Sequence, residues 1–226
     1  LMGDLDFLER GVEYIRWSLL IVSIDALSIA VLLIISLLIT PLATYILTVI
    51  LFYFLLISTV IPYALIAILW LLGFRDLARY DGRYALGFVG AVIAMVSYFM
   101  NIVYMGYLVI NMLVGNLLIP RPVITQPLIL IRNQFLIVFS LYLPLPVFAS
   151  LILGIAGSVL SMIALYRLSR DFASPSTRLG SILTIIGILL IELQPLSTAL
   201  IGVGTALLFP GLNNVLISAE RQALNL

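Results

Sequence analysis

This chain has no cysteine, no histidine and no lysine, and all eleven of its basic residues are arginine. Without cysteine there is no disulfide framework and no thiolate nucleophile. Without histidine as well, Cys/His zinc sites, His-ligated haem and imidazole proton relays fall away. A rhomboid-like Ser–His pair is excluded for the same reason. No phosphate-binding P-loop, metalloprotease motif or nucleophile elbow is found. Intramembrane aspartyl proteolysis needs two buried acids from facing helices, and only Asp25 qualifies. The expectation is a chain that is not an enzyme and holds no cofactor and no metal.

Charge is scarce too. Only 9% of the residues are charged, against roughly 25% in soluble domains, while 64% are hydrophobic and the mean hydropathy is +1.28. A globule of this size cannot hide so much apolar surface, whereas lipid can. A net charge of +1 points to no nucleic-acid partner. The lysine-free, aliphatic-rich composition would suit a hot, GC-rich organism.

What is present is a series of apolar runs. No charged residue occurs from Ala26 to Phe74, enough for two crossings at about 20 residues each, and Thr40-Pro41 is the best break in it. The spacing predicts an all-α, polytopic transmembrane helical bundle of about six spans, at 17–40, 43–73, 84–114, 135–165, 179–193 and 196–217. Residues 17–226 form its single membrane domain. Span five is short for a crossing, and one long broken helix in place of the last pair is the alternative. The apolar stretch after Trp17 is longer than a signal-peptide core. Before it, Leu1, Leu5, Leu8, Val12 and Ile15 recur at helical spacing among Asp4, Asp6, Glu9, Arg10 and Glu13. Residues 1–16 are therefore expected to be a short interfacial amphipathic helix.

Placing the N-terminus inside puts Arg10, Arg16, Arg75, Arg79, Arg83, Arg167, Arg170, Arg178 and Arg221 on the cytoplasmic side and leaves Arg121 and Arg132 outside. This is the bias that short loops near helix ends show. The expected location is the plasma membrane, multi-pass, with both termini cytoplasmic.

The two arginine turns echo one another. Phe74-Arg75-Asp76-Leu77-Ala78-Arg79-Tyr80-Asp81 is followed by the Gly87-led run, and Tyr166-Arg167-Leu168-Ser169-Arg170-Asp171-Phe172 by the Gly180-led run. They suggest a parallel internal repeat of a helical hairpin, although any short cytoplasmic turn collects arginines and aromatics as anchors. With Gly73-Phe74-Arg75, Tyr80-Asp81 and Leu165-Tyr166-Arg167-Leu168-Ser169, the stretches 60–110 and 155–210 resemble archaeal multi-span membrane proteins of the domain-of-unknown-function families 973 and 996. The resemblance implies an archaeal membrane protein of unknown activity and transfers no catalytic residue.

Within the apolar runs Asp25 stands out, because an ionisable residue at membrane depth costs at least a few kcal/mol. With Ser28 nearby on its helix face, and Asn101 and Asn111 in span three, it can line an intramembrane polar site that takes a proton or cation. Equally, it can sit at the inner interface or bond a neighbouring hydroxyl, while Asn101 and Asn111 bond across helices. Ser150, Gly154 and Ser158, with Gly157 and Ser161 alongside, form a small-residue stripe for close helix packing. Glu192, Gln194 and Pro195 fit an outer turn. These features favour a non-enzymatic scaffold or accessory subunit of a membrane assembly, in contact with lipids and with other membrane subunits or a second copy of itself. The alternative is a small transporter or channel built on Asp25.

Overall fold

Helix α1 runs from Met2 to Leu38 without a break. The computed structural model of the chain describes residues 2–38, 63–118, 145–191, 193 and 196–224. Among them are α2 (63–80), α3 (Ala85–Leu118), α4 (Leu145–Asp171), α5 (Pro175–Leu189) and α6 (Leu196–Leu224). No strand occurs among the described residues. Four of these helices contain stretches long and apolar enough to cross a membrane, at Leu5–Val31, Gly82–Tyr104, Phe148–Asp171 and Leu196–Leu224. The chain is a membrane protein whose described residues fold as a helical bundle.

The helix ends follow local chemistry. Asp81 stops α2 and caps the single 3₁₀ turn Gly82–Tyr84, its carboxylate accepting the backbone N–H of Arg83 at 2.8 Å. Helix α4 ends in a Schellman arrangement, with Ser174 N–H reaching Ser169 O at 2.9 Å and Ala173 N–H reaching Arg170 O. Ala173 holds the left-handed position, φ 50°. Pro175 then starts α5, where a missing N–H costs nothing.

Each helix neighbours the next in sequence, and α6 returns to pack along α1. On α5 what faces inward is mostly small or hydroxylated, and on α3 and α5 what faces outward is large and apolar. Helix α5 buries Thr177, Gly180, Ser181, Thr184, Gly187 and Ile188 and exposes Leu179, Ile182, Ile186 and Leu189. Helix α3 exposes Val89, Val92, Val96, Phe99 and Val103 at helical spacing. In water such stripes would drive aggregation; in lipid they are the solvated surface.

Three boundaries differ from the expected ones. Residues 2–16 are not a separate element but the first turns of α1, and of the apolar stripe Leu8, Val12 and Ile15 face protein and are fully buried, with Gly11 backed onto Gly73 of α2. Where the stripe has a partner helix to pack on, it does not need a lipid surface. Helix α5 starts at Pro175 rather than at 179. It packs antiparallel along α6, Gly180 against Gly204, Gly187 against Ile201 and Thr177 against Gly211, so these two are a hairpin and not one broken helix. Helix α3 continues through Leu118, inside the expected loop. Residues 39–62 and 119–144, with Arg121 and Arg132, and Glu192, Gln194 and Pro195 lie outside the described residues, as does most of expected span two.

The densest hydrophobic core lies at the arginine-rich end, where Leu8, Val12, Phe74, Leu77, Tyr84, Leu165, Leu168, Leu212 and Val215 meet.

Candidate functional site

Asp25 sits on α1 roughly two-thirds of the way along and is buried. The Tyr63 hydroxyl at the start of described α2 donates to its Oδ2 at 3.1 Å. Tyr63 in turn stacks on Tyr98 of α3, with centroids 6.2 Å apart and rings within 20° of parallel. The carboxyl group thus joins α1 to α2, and the tyrosine pair ties α2 to α3. This is the environment in which a polar residue at membrane depth is tolerated.

Of the other residues expected beside Asp25, Ser28 and Asn101 bond to other groups. Ser28 turns its hydroxyl back to Ile24 O at 2.7 Å, as Ser18 does to Ile15 O. Asn101 belongs to the α3–α4 seam. Its Nδ2 donates to Ser97 O, its Oδ1 accepts from Ser150 Oγ at 3.2 Å, and Ser97 Oγ donates to Ser150 O at 2.6 Å. Asn111 is part of α3, and its side chain lies outside the described residues.

Packing uses a face slightly rotated from the expected one. Ser150, Gly154, Gly157 and Ser161 line the seam: a Cβ on Gly154 would meet Ser97, and one on Gly157 would lie 2.5 Å from the Ala94 nitrogen. Ser161 donates to Gly157 O and to Gly87 O of α3. Ser158 is half-buried at the flank. A strict four-residue step advances about 40° per repeat around a helix, so the contact moves to 157 and 161.

The arginines divide into two groups. Arg75 and Arg79 reach Asp76 Oδ1, at 3.1 and 3.9 Å, from a carboxylate that is itself buried. Arg83 pairs with Asp81 at 2.7 Å and reaches Asp171 at 3.7 Å. Arg83, bonding Asp81 through both its side chain and its backbone N–H, holds that carboxyl below the usual carboxylate range. Tyr84 also donates to Asp171, at 2.7 Å, and Tyr80 lies between Tyr84 and Phe172. The two turns are thereby latched together. Arg167, Arg170 and Arg178 are exposed.

Several partners have weak or no sequence signal. Tyr63 and Tyr98 are ordinary aromatics in apolar runs. Ser23, whose hydroxyl reaches Gly202 O on α6 at 3.1 Å, sits two residues before Asp25. The Thr177, Gly180, Thr184, Gly187 face of α5 could have been found by searching for small residues at heptad spacing. An apolar groove of about 630 Å³ lies between α4 and the end of α5, and Phe148, Ile152, Ile155, Leu189 and Leu193 are among the uniformly apolar residues that line it.

Among the described residues no cluster of three acids is placed to hold a metal ion. No family model, curated protein or solved structure matches the chain.

Proposed function

We propose that this protein is a structural component of a prokaryotic, archaeal plasma membrane: a scaffold or accessory subunit without catalysis of its own, bound to lipids and to another membrane subunit or a second copy. The proposal includes both termini in the cytoplasm and six crossings, with α2 and α5 joining the four longer helices. At about 22 Å, α5 is shorter than a hydrocarbon core of roughly 30 Å, so a local thinning of the bilayer would go with it.

One observation carries this reading. Several polar side chains within the apolar helices hold one helix to another: Ser23 with Gly202, Ser97 with Ser150, Ser197 with Gly187, Tyr63 with Asp25. Such bonds contribute about 0.6 kcal/mol each, up to nearly 2, and suit a rigid assembly part. A stoichiometric partner retained in mild detergent, and liposomes as ion-tight with the protein as without it, are the expected results. Because the chain lacks cysteine, Gly82→Cys labelled only from the cytoplasmic side and Leu193→Cys only from the other would establish the orientation. The reverse pattern overturns it.

Asp25 supports a second reading. A buried carboxyl group joining α1 to α2 is a proton or cation site in a small transporter or channel. A flux in proteoliposomes that Asp25→Asn abolishes and Tyr63→Phe alters would replace the scaffold reading. A flux untouched by Asp25→Asn would remove this residue as the coupling site.

A further inference from the structure

Most of the exposed arginines extend into water or face a carboxylate; Arg16 does neither. It lies half-buried in the seam between α1 and α6, its guanidinium 4.4 Å over the Phe209 ring, a cation–π placement that fixes the plane of the group. One Nη donates to Asn213 Oδ1 at 3.2 Å. The Nε is shut away from solvent and meets no acceptor. Among the described residues no carboxylate comes within ion-pair distance of it. Glu13, one turn back on α1, is exposed and forms no ion pair with it.

Asn213 adds to the imbalance. Its Oδ1 accepts from Arg16, and on this exposed residue the amide N–H₂ bonds to nothing among the described residues. A guanidinium has five N–H donors and no acceptor, and only one of those of Arg16 meets an acceptor among the described residues. Its depth is set on both sides. Trp17 is exposed, meets the same Phe209 edge-on at 6.2 Å, and is the kind of residue that marks a membrane–water interface. Asn213 follows Gly211, which packs on Thr177 in the first turn of α5. A fixed cation, unmatched N–H donors on two side chains and headgroup depth together describe the complement of an oxyanion.

We propose that Arg16 and Asn213, framed by Trp17 and Phe209, form a binding site for a phosphate oxyanion, supplied by the headgroup of an anionic phospholipid. The site rests on the membrane placement of α1 and α6 but not on the scaffold reading.

The chain has two tryptophans, so Trp70→Phe leaves Trp17 as the only reporter, directly beside the site. The protein is placed in vesicles containing either brominated phosphatidylglycerol or brominated phosphatidylcholine, and quenching is read against lipid fraction. The expected preference for phosphatidylglycerol is about fivefold, the effect of one well-placed arginine near an anionic surface. Arg16→Gln abolishes that preference, while Arg167→Gln, at an exposed arginine of the same end, leaves it intact. Asn213→Asp gives Arg16 a carboxylate of its own, keeps the seam closed and also abolishes the preference, so the test survives if Arg16→Gln fails to fold. Equal quenching by the two lipids, or a preference that survives both substitutions, overturns the proposal. Displacement of the lipid by millimolar inorganic phosphate keeps the oxyanion site and overturns the lipid as its source. No quenching by either lipid counts against the membrane placement itself.

Discussion

The two arginine-bearing turns share a composition and solve the same problem differently. The first, between α2 and α3, is closed by side chains: Asp81 caps the 3₁₀ turn and binds Arg83, and Phe74 at its head is fully buried against Trp70. The second, between α4 and α5, is closed by backbone through the Schellman bonds at Ser169 and Arg170, with Ser174 Oγ donating to Gly211 O beside them. At its head Tyr166 is only half-buried. Their glycines are also mismatched to need. Gly82 in the first turn has no left-handed φ, and open space surrounds the place a Cβ would occupy. The second turn demands the left-handed conformation and has alanine there. Similar residue strings in two hairpins thus do not imply similar turns.

Four measurements sharpen that contrast, all as unfolding in detergent. Phe74→Ala removes a fully buried ring and is expected to cost about 3–4 kcal/mol, against about 1 for Tyr166→Ala. Equal losses would make the two turns energetic equivalents. Tyr84→Phe takes away the hydroxyl bonded to Asp171, which links one turn to the other. The carboxylate keeps Arg83, so the expected loss is about 1–2 kcal/mol. A loss near zero would mean the latch between the turns is carried by ring stacking and the Arg83–Asp171 pair. Ala173→Gly relieves a left-handed residue and should stabilise by about 1 kcal/mol. Gly82→Ala should also stabilise, by about 0.5, through the unfolded chain. A destabilising Ala173→Gly would contradict the observed φ.

Acid separates the turns least. Because the pKa of Asp81 is lowered in the folded chain, its contribution is present above the ordinary carboxylate range and is lost as pH falls through the lowered value. Asp81→Asn should remove that part of the acid sensitivity, while Ala173→Gly leaves it unchanged. The group is largely exposed, so this difference is the smallest of the four.

Much of the fold was legible because lipid imposes length and composition on every crossing. The runs around Val89–Val103 and Ile152–Leu165 had no other stable environment, and the helices appear there. Boundaries were harder. In a uniformly apolar run the inward face is distinguished by size and not by polarity, so Thr177, Gly180, Thr184 and Gly187, which form the α5–α6 seam at heptad spacing, are silent to a hydrophobic periodicity. The N-terminal stripe of Leu8, Val12 and Ile15 was visible, but whether it met lipid or protein depended on Gly73, some sixty residues away. Asp25 announced itself as the ionisable residue in a span. Its partner did not, since nothing local marks Tyr63 as the tyrosine that reaches it. The pairing of Asn101 with Ser150 was likewise a property of the helix arrangement and not of either residue.

The continuity of α1 has a mechanical corollary. At 1.5 Å per residue its 37 residues make a rod about 55 Å long, well beyond a hydrocarbon thickness of roughly 30 Å. Gly11 is set hard against Gly73 of α2, about 21 Å along the rod from Asp25. With no break in the helix between them, a displacement at Gly11 would be carried to the Tyr63–Asp25 bond.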